Sequence, residues 1–516
     1  MDKKKSSPKS SSKSKSKKPK PSQKQNSPFY EAFDKKKKFI PKAYEDLWDD
    51  ESDYDDEIVA PQSAKPSHVR SAKPASSTSS DTPSHGKAKL YHERKVDKKP
   101  QNSAPRNKYV KPGQFEIESA VIRRIAKQFA SEPKCGVFGK CGGCQLQHLT
   151  YEGQLKYKDH KIGELLEPFG KVAPIIGMDK PKHYRNKVLA TYGYDKNGKY
   201  ISGIYEEHTH KVIPIKNCMI QDEKANAIID TVKSLMPSFK LTPYNEDYDT
   251  GFLRHVMIRK GHVSGDIMVV IIGGSPIFPS KNNFVKALVK EHPEITTVVF
   301  NVNNRRTSMV LGPNETVLYG KGYIEDTLCD TVFRLSPKSF YQINSVQTEK
   351  LYHKAIELAG LTGKENVLDA YCGIGTIGLI ASHKAGEVIG VELNKDAVKD
   401  AIFNAKNNHI SNARFFQADA SDFMLELEEA GESLDVVFMD PPRSGSDERF
   451  LSSLVKLGPK TVVYVSCGPE SLARDLKYLV NNGYKVKEMH AYDMFPWTEH
   501  VEAVVLMTRS GSNTKK

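Results

Sequence analysis

The sequence predicts an α/β protein: a doubly wound, Rossmann-like domain over residues 336–516, preceded by a β-rich (α+β) domain and a disordered N-terminal tail. Three observations predict it. From about residue 345 short apolar strands alternate with helical runs, the rhythm of a parallel sheet covered on both faces. A glycine turn, VLDAYCGIGTIGL at 367–379, follows the first of those strands and opens a helix. The first 113 residues carry too little apolar surface to offset the entropy of ordering them.

The tail, residues 1–113, holds 27 Lys and Arg against 15 Asp and Glu, whereas the remainder holds 50 against 48, so most of the net charge of +14 sits there. Residues 1–27 are almost entirely Lys, Ser, Pro and Gln, EDLWDDESDYDDE at 45–57 is acidic, and 61–113 return to Lys, Ser, Pro and Ala. Such a segment is a solubilising tail or an electrostatic arm for RNA. The N-terminus has no apolar stretch and is not a secretory signal. No apolar run approaches the ~20 residues of a membrane span. A cytoplasmic monomer is expected, with no protein partner implied. Seven cysteines in 516 residues do not make a disulfide scaffold. In a reducing compartment, clustered cysteines point to metal or catalysis.

Residues 114–169 form a cysteine segment, with a helix expected over 115–130. Cys135, Cys141 and Cys144 are spaced Cys-x5-Cys-Gly-Gly-Cys, and Cys218 follows in PIKNCMI. Four thiolates enclose either a [4Fe–4S] cluster or a zinc ion, and spacing alone does not choose between them. Cys329, alone in DTLCDTVF, reads as structural. Over 170–335 the runs KVLATYGY, GFLRHVMIRKG, DIMVVIIGG, ITTVVFNVN and SMVLG are strands, with helices near 222–236 and 281–291. Basic clusters here suit an RNA groove: Lys182, Arg185 and Lys187, then Arg254 and Arg259, then Arg305 and Arg306, with Tyr184 and Phe340 as stacking rings.

In the last domain Gly373, Gly375 and Gly378 make G-x-G-x-x-G after a strand, a turn that brings backbone close to a dinucleotide or to S-adenosylmethionine (SAM). Glu392 ends the second strand, where an acid binds ribose hydroxyls. Asp369, just before the loop, and Asp440-Pro441-Pro442 after a later strand favour SAM. Cys467 follows the strand VVYVS directly, at the sheet edge where ligands bind, and suits a nucleophile. Cys372, inside the glycine loop, reads as packed. Glu502 begins a strand after FPWTEHV and suits a general base. Uracil needs both groups. Its C5 takes a methyl group only after a thiolate has added to C6, and the C5 proton must then leave before the thiol is expelled.

The motifs CGVFGKCGGCQLQ, HYRNKV, GFLRHVMIR, SPKSFYQIN, DAYCGIGTIGL, MDPPRSG, YVSCGPESLARDL and DMFPWTEHVEAV span about 130–508. There the chain resembles the RNA uracil-C5 methyltransferases, in particular the bacterial 23S rRNA enzymes of the uracil-1939 type with an iron–sulfur cluster. The resemblance implies a Rossmann-like SAM methyltransferase domain and a [4Fe–4S] cluster on Cys135, Cys141, Cys144 and Cys218. It implies that Gln342, Tyr371, Thr376, Glu392, Asp419 and Asp440 surround SAM. It makes Cys467 the nucleophile and Glu502 the proton acceptor, with 23S rRNA as partner. The same reaction on tRNA, and a noncatalytic RNA-binding assembly factor, are the alternatives. The chain departs from the family at Gly468, where Asn is common, at Trp497, where His is common, and at Thr376, where Asn is common. It also shows no strand pattern for a β-barrel RNA-binding domain before Cys135.

Overall fold

The computed structural model describes residues 119–509, all within one unit, Lys108–Lys516. The tail expected over 1–113 lies outside the described residues.

The cysteine segment holds helices α1 (Ala120–Gln128) and α2 (Tyr151–Leu166). Ser119 and Thr150 start them, each hydroxyl accepting a first-turn amide, from Ile122 and Gly153. Strand β1 (Ala173–Ile176) follows, then β2 (Lys187–Tyr194), β3 (Tyr200–Tyr205), β4 (Val212–Pro214), α3 (Glu223–Leu235), β5 (Leu253–Lys260), β6 (Ile267–Gly273), α4 (Lys281–Glu291), β7 (Ile295–Val302) and β8 (Asn314–Tyr319). Seven of these strands form one sheet in the order β4-β3-β2-β5-β6-β7-β8. It is antiparallel except at β6–β7, where α4 is the crossover. Val188, Ala190 and Tyr192 of β2 and Val256 and Ile258 of β5 point into a core with Ile228 and Val232 of α3 and Phe284 and Leu288 of α4. Alternation then leaves Lys187, Leu189 and Thr191 on the other face.

Strand β1 lies inside the span expected for the central domain, yet it pairs in parallel with β16 (Tyr484–Tyr492) of the C-terminal sheet. The hairpin of β9 (Ile324–Leu328) and β10 (Thr331–Leu335) turns through Cys329 and Asp330, both left-handed at φ 48° and 61°. The amides of Val332 and Arg334 donate to Asn408 and Asn404, which anchors the hairpin at helix α7 (Lys395–Asn407).

The C-terminal domain runs α5 (Ser345–Ala359), β11 (Asn366–Ala370), α6 (Thr376–Ser382), β12 (Glu387–Glu392), α7, β13 (Ala413–Gln417), α8 (Ala420–Ala430), β14 (Val436–Met439), α9 (Glu448–Leu457), β15 (Thr461–Ser466), α10 (Pro469–Asn481), β16 and β17 (Glu502–Arg509). Its eight strands are ordered β1-β16-β17-β15-β14-β11-β12-β13. The order reverses between β11 and β14, which opens the crevice where open α/β sheets bind ligands. The expected strands are present, and one departs from the parallel rule: β17 is antiparallel to both β15 and β16. It returns from β16 through a short loop, so its first residue lies at the same sheet edge as the end of β15. Among the described residues, no helix is long and apolar enough to cross a membrane.

Candidate active site

The loop after β11 has the shape of a ligand cradle. Gly373 and Gly375 hold φ of 57° and 82°, and Tyr371 is left-handed at 65°. A Cβ on Gly373 would meet nothing within 4 Å, so the backbone there faces open space. A Cβ on Gly378 would stand 2.9 Å from Asp369 Oδ2, the oxygen that accepts the Gly378 amide at 2.6 Å. Only glycine permits that contact. Glu392 takes the Gly373 amide on Oε2 at 3.1 Å and the Asn394 amide on Oε1 at 2.8 Å, which fixes the carboxylate at the strand end. The Tyr371 hydroxyl meets Ser446 Oγ at 3.2 Å. Asp419 caps α8, its Oδ1 accepting the amides of Ser421 and Asp422 at 3.0 and 3.2 Å. Gln342 is buried in the strap leading to α5, its carbonyl accepting Asn186 Nδ2 at 2.9 Å. Asp369 Oδ1 is a buried acceptor without a partner. Burial, with Asp440 and Glu392 nearby, holds the Asp369 carboxyl up at about 8. Burial holds Asp440 up at about 7.

The register of β15 and β17 brings the two reacting groups together. Ser466 pairs with Ala503, so the next residue on one strand, Cys467, faces the preceding residue on the other, Glu502. Glu502 is 1% exposed and its Oε2 has no partner. Burial and the neighbouring Asp440 push its carboxyl up to about 8, against the pull of Arg443. Burial, Glu502 and Asp440 push the half-buried Cys467 thiol up to about 11, again opposed by Arg443. The Arg443 carbonyl accepts Ser471 Oγ at 2.9 Å, and the same hydroxyl donates to Gly468 O at 2.9 Å, tying the two loops together. Sequence reading missed Tyr352 on α5. Its buried hydroxyl bonds with Thr376 and feels Asp440, Glu502 and Asp369, so it stands among all four. Its position on a helical face looked like ordinary core.

Cys135, Cys141, Cys144 and Cys218 line one cavity together, and none is in a disulfide. Burial raises the Cys144 thiol to about 12 and raises Cys141, and Cys218 pushes both further up. The thiols are therefore close enough to repel as thiolates, with Arg185 as the opposing cation. Among the described residues no group of three or more His, Cys, Asp or Glu is arranged to hold a metal ion. The four cysteines share a cavity wall. Cys372 is buried, and Cys329 is buried in its hairpin turn.

Several basic residues expected to meet RNA are internal. Arg259 is 1% exposed and donates to the Ser339 carbonyl, while Arg254 is held by Glu246 and the carbonyls of Asn303 and Arg305. Tyr184 is buried with its hydroxyl on Pro496 O, so it is no stacking platform. These are corrections: nearly every side chain of β5 is buried, whatever its charge, and Tyr184 packs under the loop that holds Pro496. Phe340, 64% exposed, remains available.

Residues 150–510 match the family described as tRNA (uracil-5-)-methyltransferase. An RNA methyltransferase of Bacillus cereus is 43% identical over 386 residues, covering 74% of this chain and 84% of the relative. One of Clostridium acetobutylicum is 43% identical over 389 residues, covering 74% and 84%. The crystal structure of the Pyrococcus abyssi tRNA (uracil-54, C5)-methyltransferase with S-adenosyl-L-homocysteine superposes with a TM-score of 0.61 at 30% identity, covering 71% of this chain and 86% of that one. A cradle of glycine backbone, a fixed carboxylate at the second strand and a thiol facing a carboxyl across one strand pair are the parts such chemistry needs, and the chain belongs to the tRNA (uracil-5-)-methyltransferase family of SAM-dependent RNA uracil-5 methyltransferases.

Proposed function

We propose that the chain methylates C5 of a uracil in 23S rRNA, with Cys467 as nucleophile and Glu502 as base. The observation that carries the reading is the β15–β17 register, which sets the Cys467 thiol beside a buried, half-unpartnered Glu502 carboxyl. The target uracil leaves its stack to reach this edge. In the bound complex Cys467 Sγ and the Glu502 carboxyl each release a proton to solvent, and the thiolate adds to C6, which places electron density on C5. SAM, cradled by the Gly373–Gly375 backbone with Glu392, supplies the methyl group for C5 when bound. Glu502 then takes the C5 proton, the C5–C6 double bond reforms, and the Cys467 sulfur leaves as thiolate. Gln342, Tyr371, Thr376, Asp419 and Asp440 complete the SAM pocket in this reading.

By the resemblance, the four cysteines are read as ligands of a [4Fe–4S] cluster. All four are free thiols that line one cavity, and an all-thiolate set holds either such a cluster or zinc. Iron and sulfide analysis of protein purified without air tests this, with Cys141→Ser as the control that should lose both. Zinc with no sulfide would replace the cluster by a zinc site. The cluster-type cysteines favour rRNA by resemblance, whereas the Pyrococcus abyssi structure is a tRNA enzyme and favours the second reading. Labelled SAM with unmodified 23S rRNA and unmodified tRNA, mapped by mass spectrometry, separates them. 5-Methyluridine in 23S rRNA is the expected product. Label only in tRNA keeps the chemistry and overturns the substrate, and no label in either removes the catalytic reading.

A further inference from the structure

A cavity of about 1010 Å³ lies apart from the reacting groups, and neither Cys467 nor Glu502 lines it. Its floor is the face of the central sheet turned away from α3 and α4, where Lys187, Leu189 and Thr191 project at alternate positions of β2. The cysteine segment supplies one wall. The acids that line it are already paired: Glu246 with Arg254 at 2.5 Å and Asp247 with His210 at 2.7 Å. Two cations line it as well. Arg185 Nε is buried without a hydrogen-bond partner, while its guanidinium also meets the Tyr184 hydroxyl and opposes the Cys141 and Cys144 thiols. The half-buried Lys187 side chain has neither an ion pair nor a hydrogen bond among the described residues. Desolvating a cation without a partner is costly, and an anion arriving there removes the cost.

The lining is mixed, with polar residues such as Gln147, Gln221 and Ser308, and includes an apolar part from Leu189, Ile204 and Val310 with the half-buried ring of Tyr205. Anion-seeking cations beside an apolar and aromatic wall describe a nucleotide unit, phosphate at one end and base at the other. The cavity also connects structurally to the methyl-transfer site. Asn186, between the two cations, donates to Gln342 O at 2.9 Å and to Ser345 Oγ at 3.0 Å, and Ile343 of the same strap lines the cavity.

We propose that this cavity is a second subsite for the substrate RNA, taking one unstacked nucleotide of the strand that carries the target uracil, with its phosphate at Lys187 and Arg185 and its base against Leu189, Tyr205 and Val310. The inference rests on the RNA substrate of the proposed function. Arg185 also faces the thiols of Cys141 and Cys144, so Lys187 is the cleaner probe.

The test titrates a labelled single-stranded RNA, taken from the sequence around the methylated uracil, into full-length protein with SAM present. Lys187→Gln should weaken binding roughly tenfold and lower the salt slope by about one, as for loss of one phosphate contact. Leu189→Trp, which narrows the cavity at its apolar wall, should weaken binding without changing the salt slope. SAM affinity and melting temperature should match wild type in both, which shows that each is folded. Unchanged RNA affinity in both variants, with SAM bound normally, overturns the subsite. Free uridine or adenosine monophosphate binding in the cavity without displacing RNA overturns it too, leaving a mononucleotide site. Failure of the wild type to methylate any RNA counts against the proposed function instead, and the binding difference between wild type and Lys187→Gln still decides the subsite.

Discussion

Burial favours the protonated forms of both Cys467 and Glu502 in the free protein, raising the thiol to about 11 and the carboxyl to about 8, so both must give up a proton before the thiolate adds and the carboxylate accepts one. The roles of the two groups are separable. Cys467→Ala should bind SAM and give no methylated RNA. Glu502→Gln should lower turnover by about 10²–10⁴-fold and accumulate a covalent RNA–protein adduct visible on a denaturing gel, since methylation precedes the stalled proton removal. Adduct-free, normal turnover by either variant sinks the assignment. Stability should carry the same signature. Glu502, Asp369 and Asp440 all have folded values raised above their ordinary ones, to about 8, 8 and 7. The folded state therefore binds more protons, and their contribution is full at acid pH and is lost as pH rises through about 8. The ligand-free protein should melt at progressively lower temperature from about pH 4.5 to about pH 8, and Glu502→Gln should flatten that slope. A melting temperature rising over this range would contradict the burial of these acids. The residue types were legible in the sequence. Their protonation was not, because it depends on which neighbours exclude water.

The element that decides the site is the loop between β16 and β17. Lys158, fully buried on α2, reaches Asp493 Oδ1 at 2.5 Å and Phe495 O at 3.1 Å, and the Tyr151 hydroxyl donates to Asp493 Oδ2 at 2.9 Å. Trp497 stands at φ 72°, its amide on Gln154 Oε1 at 2.7 Å and its carbonyl accepting the amides of Gln145 and Leu146 at 3.0 Å each. The loop that delivers Glu502 is thus gripped by the cysteine segment. Lys158→Met leaves Asp493 buried and unpaired and should cost ~3–5 kcal/mol, read by urea unfolding, with methyl transfer falling as the loop loosens. Adding Asp493→Leu should restore most of the stability, and no recovery would mean the pair is not what holds the loop. The sequence reading placed helices over 222–236, 281–291 and 345–360, and the structure has them at Glu223–Leu235, Lys281–Glu291 and Ser345–Ala359. Their capping residues and apolar periods are local. The pairing of Lys158 with Asp493 spans 335 positions and leaves no local mark.

At the scale of the whole molecule, the folded part is nearly neutral while residues 1–113 carry most of the excess charge. The internal positions of Arg254 and Arg259 sharpen that contrast, since they remove two cations from any outer groove. The tail is then expected to supply nonspecific phosphate attraction. Deleting residues 1–113 should weaken RNA binding and reduce its salt dependence, with SAM affinity unchanged. Equal affinity and equal salt slope for the truncated and full chains would assign the tail no part in binding.

The succession of strands along the chain, the glycine cradle, the cysteine after β15 and the cluster of Cys135, Cys141 and Cys144 are properties of the sequence alone, because each rests on period, spacing or residue type over a short stretch. Tertiary structure decided the rest. Only the antiparallel return of β17 between β15 and β16 sets Glu502 beside Cys467. Only the fold joins Cys218 to Cys135, Cys141 and Cys144 along one wall, and only the fold sets Arg259 against the Ser339 carbonyl while its cross-strand neighbour Lys187 lines the cavity. These are contacts between residues far apart in the chain, set by register and by what packs over each face, and no local pattern encodes them.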